Sequence, residues 1–173
     1  MRKTEIVAWT ETWNELYVIE SNLISQIFIS EMTSIHHIGS TSVPNIGYAK
    51  PIIDILVVVK DIEKIDFYND KMAVNGYSVR GEHGIERRRY FTKGGSNRTH
   101  HVHLYQTGNI NIKLHLNFKE YLLLHSDDAK RYGELKLKLA NKYPDDTHKY
   151  QEGKKSFVNE LVEKSIKWAS SQR

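Results

Sequence analysis

The sequence predicts an α+β domain, a mixed β-sheet with helices packed mainly on one side. Three observations predict it. Ile52–Val59 is an apolar run rich in β-branched side chains and broken only by Asp54, the pattern of a buried central strand. Strand and helix patterns alternate as far as Tyr77, which excludes an all-α fold. From Tyr77 to Tyr105 the signals are β, and from Leu114 onward they are helical.

In chain order, Trp9–Met32 is expected as the first helix. Trp13, Leu16, Tyr17, Ile24, Ile27 and Phe28 recur at three- and four-residue spacings, and Thr10 or Thr12 is placed to cap it. Ile35–Ile38 then reads as a strand, followed by a turn rich in Gly, Ser, Thr and Pro. Lys50-Pro51 favours an extended lead-in to Ile52–Val59, since a residue before proline avoids the helical region. Asp61 is a candidate N-cap for a helix from about Ile62 to Val74, which Asn75-Gly76 ends. Tyr77–Arg80 and Arg89–Thr92, bounded by glycines, suggest a hairpin, and Thr99–Tyr105 a third strand. Leu114–Leu124, Ala129–Lys142 and His148–Ser170 are the remaining helices, with Pro144 separating the last two.

At 173 residues the chain is expected to form one domain, 1–173, with a core of its own. It has no cysteine, hence neither disulfides nor thiolate metal sites, which suits a reducing cytoplasm. The N-terminus carries no continuous apolar stretch of the secretory kind, and no run is long enough to span a bilayer. A cytoplasmic protein without membrane association is therefore expected. The net charge of +4 arises in residues 113–173, which carry 13 Lys and Arg against 9 Asp and Glu. Charge so diffuse on helices reads as solvated surface rather than a nucleic-acid footprint, though an anionic small molecule remains compatible.

Asp54 is the residue with most to explain. An ionised carboxylate buried without a partner costs several kcal/mol. It must therefore face a cation, a metal or hydrogen-bond donors, or lie at an open strand end. Upstream, Gly39-Ser40-Thr41-Ser42 follows a strand and offers small residues whose amides and hydroxyls suit a phosphate. A plain strand-to-helix turn would use the same residues. Asp54 is expected as the catalytic carboxylate and as ligand of a Mg2+ ion, which prefers carboxylate and phosphate oxygens. The competing reading is a structural carboxylate paired with Lys50 or a basic residue across the sheet. Lys50 is either a phosphate contact or a surface lysine. His101 and His103, two apart on a strand, project from one face. With Asp54 and His37 they could form a metal or acid–base site. With Arg88, Arg89 and Arg98 they could instead form a cationic wall for phosphate. As bland strand residues they would only bond within the fold.

The segment HIGSTSVP followed by AKPIIDI resembles the signature of the GrpB family, itself similar to the nucleotidyltransferase superfamily. Arg98–Leu104 resembles the family's His-rich strand and Phe118–Leu122 its following helix, so the resemblance spans most of the chain. It implies a nucleotidyltransferase-like fold, with a Gly-Ser turn for the phosphates and carboxylates on neighbouring strands. Two departures matter. Two residues after Asp54, where a two-metal transferase would carry a second carboxylate on the same face, stands Leu56. The later strand offers His101 and His103 and no acid. Imidazoles favour Zn, Ni, Fe or Cu over Mg. Two functions are expected from these residues. One is NMP transfer from an NTP to an acceptor. The other is a catalytically inactive domain binding a nucleotide or phosphorylated metabolite. No GxxxxGK[ST] loop is present, which excludes P-loop kinase chemistry.

Overall fold

The computed structural model describes residues 3–172. In chain order the elements are β1 (Val7–Ala8), α1 (Thr12–Ile27), β2 (Met32–Ile38), two 3₁₀ turns (Ser40–Ser42 and Pro44–Ile46), β3 (Tyr48–Ala49) and β4 (Ile53–Val59). A 3₁₀ segment (Glu63–Tyr68) then runs into α2 (Asn69–Val74), followed by β5 (Tyr77–Gly81), β6 (Arg88–Lys93) and β7 (His100–Gln106). The chain ends in α3 (Ile110–Leu124), α4 (Ser126–Lys142) and α5 (Thr147–Ser171).

The main sheet has five strands in the order β2-β4-β7-β6-β5. The β4–β7 pair is parallel and the other three pairs are antiparallel, so the expected α+β class with a mixed sheet is present. Ile55, Leu56 and Val57 at its centre are completely buried. Burial of each is worth about 2 kcal/mol, and this fixes the register. A slip of one residue would turn Asp54 into the apolar face.

Alternation on β4 sorts the core. Ile53, Ile55, Val57 and Val59 pack with Val102 and Leu104 of β7 against Trp13, Ile24 and Phe28 from α1 and its end, and Met72 from α2. Leu56 on the opposite face packs with Ile38 and Tyr105 against Ile112 and Leu116 of α3. Helices α4 and α5 join α3 through Val43, Ile46, Tyr121, Leu122, Ala129, Tyr132 and Leu161. Their docking brings the C-terminal helices beside the turn at Gly39–Ser42.

The first helix is shorter than its periodicity suggested. Trp9 leaves the pattern because β1 pairs antiparallel with β3, and the Trp9 amide donates to Gly47 O at 2.8 Å. Two-residue strands carry no periodicity of their own. At the other end, the Phe28 amide caps Ile24 O, and Met32 already belongs to β2, opposite Val59. The N-cap position falls on Ile62 rather than Asp61, whose Oδ1 nevertheless accepts from the Glu63 amide at 3.0 Å, and the helix is 3₁₀ before it becomes α. Among the described residues no helix is long and apolar enough to cross a membrane.

His37 lies on the α1 side of β2, buried and stacked on Tyr17 with ring centroids 4.7 Å apart. Thr41 Oγ1 donates its one proton to Ile52 O (3.1 Å), so His37 Nε2–H, 3.0 Å away, must donate to Thr41 Oγ1. That bond places a proton on Nε2 in either charge state. Burial, and then the charge of Lys119, push its pKa down to about 4 against an opposing pull from Asp54. Between that value and the ordinary 6.5 the unfolded chain binds the extra proton, so stability rises with pH there and falls on acidification. Urea unfolding should show the protein losing about 2–3 kcal/mol from this group between pH 7 and 4.5. His37→Gln keeps the donor without the titration and should remove that part of the slope. An unchanged slope would exclude His37 as its source.

Candidate functional site

The Gly-Ser turn is built against Asp54. Gly39 has φ +73°, and a Cβ there would lie 2.6 Å from Asp54 Oδ2, so only glycine lets the carboxylate sit on the backbone. Ser42 Oγ donates to Gly39 O at 2.6 Å, and Thr41 Oγ1 is engaged with Ile52 and His37. Both hydroxyls are buried and serve the turn. Of the four residues, Ser40 presents its hydroxyl to the cleft.

Asp54 pairs in register with His101 on the parallel neighbour β7, and His103 follows on the same face. His101 Nδ1 lies 3.1 Å and His103 Nε2 3.4 Å from Asp54 Oδ1. Burial alone would raise the Asp54 pKa, but the hydrogen bonds and charge of the two imidazoles outweigh it and hold the carboxyl well below the usual range. The side chain is one-quarter exposed, so the group opens to the cleft. Tyr90 of β6 packs against both imidazoles, at centroid distances of 5.7 and 5.1 Å. The Arg88 guanidinium lies 4.4 Å from the Tyr90 ring centre and within 3.5 Å of His103 Nδ1. His115 from α3 closes the side at 5.4 Å from the His103 ring.

The opposite wall comes from α4 and α5. Lys136 is 3% exposed, and its Nζ donates to Ser40 Oγ at 2.7 Å while lying 4.4 Å from the Tyr132 ring centre. Among the described residues no carboxylate forms an ion pair with it. Burial first, then the charges of Lys154 and Lys50, bring its pKa down to about 7, opposed by Asp54. Lys50 and Lys154 flank the buried Tyr150 ring at 4.7 and 5.2 Å. Burial also lowers Lys154, and Asp54 again opposes. The cleft thus sets one carboxylate and two imidazoles opposite three lysines.

The structure therefore brings together Gly39, Ser40, Lys50, Asp54, His101 and His103. Arg89 stands apart. It faces Leu104's side of β6, and its guanidinium binds Asp66 at 2.7 and 3.2 Å. Arg88, one residue away, has the parity that reaches the cleft. Arg98 lies in the exposed loop before β7, its Nε donating to Gly95 O at 3.2 Å. His37 faces α1. Leu56 is completely buried where a second carboxylate was looked for, so the two-carboxylate cage of a two-magnesium transferase does not fit this site. Lys136, Lys154, Tyr132 and Tyr150 were not distinguished by sequence. Their signal was faint: Lys136 continues the stripe Ala129, Tyr132, Gly133 on the buried side of α4.

The family described as GrpB protein matches residues 3–164. The chain belongs to the GrpB family. GrpB from Enterococcus faecalis, known as a crystal structure, is 39% identical and superposes with a TM-score of 0.90, over 95% of this chain and 99% of that one. Glutamate-rich protein GrpB of Alkalihalophilus pseudofirmus is 35% identical over 91% of this chain and 92% of its own. UPF0157 protein YqkA of Bacillus subtilis is 45% identical over 96% of this chain, which spans 48% of YqkA.

Proposed function

We propose that the cleft binds the phosphate groups of a nucleotide or other phosphorylated small molecule, the phosphates lying between Ser40 and the three lysines and the reacting end at Asp54. Lys136 is the observation that carries this reading. An amine buried to 3% exposure, touching only a hydroxyl and an aromatic face and with its pKa drawn down to about 7, is one that an incoming anion would hold in its charged form. Phosphate oxygens suit it, and Gly39 keeps the turn's backbone close to them.

NMP transfer from an NTP to an acceptor is the catalytic form of this reading, with Asp54 as the carboxylate beside the reacting phosphate. A divalent ion there would neutralise charge developing on that phosphate. Binding without turnover is the second form, and the buried Leu56 favours it by removing a ligand that two-metal transfer requires. The acceptor is the unknown of the first form.

Calorimetric and thermal-shift titrations with ATP, GTP, CTP and UTP, in EDTA and with Mg2+ or Mn2+, test the reading. A ligand at a hundred times Kd stabilises the fold by about 2.7 kcal/mol, well within detection. Binding should weaken at least about tenfold in Ser40→Ala, with loss of one charge-supported hydrogen bond to the phosphates. Pyrophosphate release in the presence of an acceptor extract would select the transferase form. Absence of binding to all four nucleotides and to inorganic pyrophosphate would overturn the proposal.

A further inference from the structure

The three donor atoms of Asp54, His101 and His103 lie within 4.8 Å of one another on two adjacent strands. We propose that they hold a single divalent transition-metal ion of the zinc, cobalt or ferrous class, in place of magnesium. The proposal deepens the phosphate reading, on which it rests only for what completes the ion's coordination.

Geometry argues first. Metal–nitrogen and metal–oxygen bonds of about 2.0–2.2 Å in tetrahedral or octahedral surroundings set neighbouring ligand atoms about 3–3.5 Å apart. His101 Nδ1 to Asp54 Oδ1 is 3.1 Å and His103 Nε2 to the same oxygen is 3.4 Å, so two of the three ligand edges already have the required length. The side chains are held by strand backbone, which positions donors more closely than a loop does. Asp54 and His101 are register partners, and His103 lies two residues along the same face. The other carboxylate oxygen lies in the space that the missing Cβ of Gly39 leaves open.

Ligand chemistry argues second. Two imidazole nitrogens and one carboxylate oxygen on one side of an ion, with the remaining positions open, is a set preferred by transition ions. Magnesium seeks near-octahedral oxygen surroundings and finds one protein carboxylate here. Beyond Asp54 the same face of β4 carries Leu56 and Val58, an apolar floor beside the site. One carboxylate against a divalent ion leaves a net positive centre, and Lys50, Lys136 and Lys154 across the cleft add to it. The open positions therefore face a space suited to phosphate oxygen.

A purely structural role makes a different prediction. If the imidazoles serve only to donate hydrogen bonds to Asp54, the site has no special affinity for soft ions. EDTA-treated protein without nucleotide should be titrated calorimetrically with Zn2+, Co2+ and Mg2+ as the chloride salts. One equivalent of Zn2+ or Co2+ is expected, at least about a hundredfold tighter than Mg2+, with the loss of either imidazole costing at least about tenfold. His101→Gln, His103→Gln and Asp54→Asn provide those losses, and His148→Gln, exposed in the first turn of α5, serves as control. Should a variant fail to fold, wild-type protein still decides the matter. Long-range 1H–15N spectra should show Zn2+ perturbing Nδ1 of one histidine and Nε2 of another. Zn2+ binding no tighter than Mg2+, or unaffected histidine resonances, would overturn the metal site. Nucleotide binding in EDTA would survive that failure, since Ser40 and Lys136 carry it without the ion.

Discussion

Lys136→Met is expected to yield a more stable protein that binds its ligand at least about a hundredfold less tightly. The two effects come from one cause. Lys136 is buried between Ser40 and the Tyr132 ring, and desolvation already draws its pKa down to about 7. Replacing a buried ion pair by apolar chains of similar volume is often stabilising by about 1–4 kcal/mol, and an unpaired buried amine carries the desolvation cost without the pair's attraction. The same change removes a cation whose hydrogen bonds to phosphate are worth about 1.5–3 kcal/mol each. A residue kept at a cost to folding is a residue kept for function. Urea denaturation and calorimetric titration of the variant measure the two sides. A variant that is destabilised and binds normally would mark Lys136 as a structural residue.

Gly133→Ala should be the most damaging methyl group that can be added to the protein, lowering stability by about 3 kcal/mol or more. A Cβ there would lie 1.7 Å from the carbonyl oxygen of Ile46 and 2.8 Å from its carbon. Both are backbone atoms of the second 3₁₀ turn, so no rotamer change relieves the contact. Helix α4 would have to move off the turn, taking Tyr132 and Lys136 away from Ser40. Gly153→Ala provides the comparison. Its Cβ would meet the flexible end of Leu139 at 2.6 Å, and the gain in helix propensity of about 1 kcal/mol offsets much of the strain. Thermal unfolding of the two variants should therefore separate widely. Similar losses would show that α4 docks less closely than the Gly133–Ile46 approach indicates.

Much of this was legible in the sequence wherever one periodicity acted alone. Strand β4 could be read from its branched apolar side chains, and the hairpin of β5 and β6 from its bounding glycines. The Asp54, His101 and His103 constellation followed from two strands of period two. What escaped was parity and depth. Arg88 and Arg89 are adjacent, and only pairing with β7 decides that Arg88 faces Tyr90 while Arg89 turns to Asp66. Thr41 and Ser42 looked available beside Ser40, but the turn consumes both hydroxyls. Lys136 and Lys154 were counted among the surface charges of the C-terminal helices, because a helical lysine announces burial only through the docking of that helix.

The parallel pairing of β4 with β7 has a consequence for how the molecule assembles. Asp54 and His101 are 47 residues apart, and everything between them must be threaded as a crossover before the two strands can meet. Ordering such a loop costs entropy that no local contact returns in advance. The carboxylate acquires its imidazole partners only when that long closure is complete. Histidine ring resonances at this cluster would accordingly mature with the slowest phase of refolding, making the cleft its own signal that the chain has finished folding.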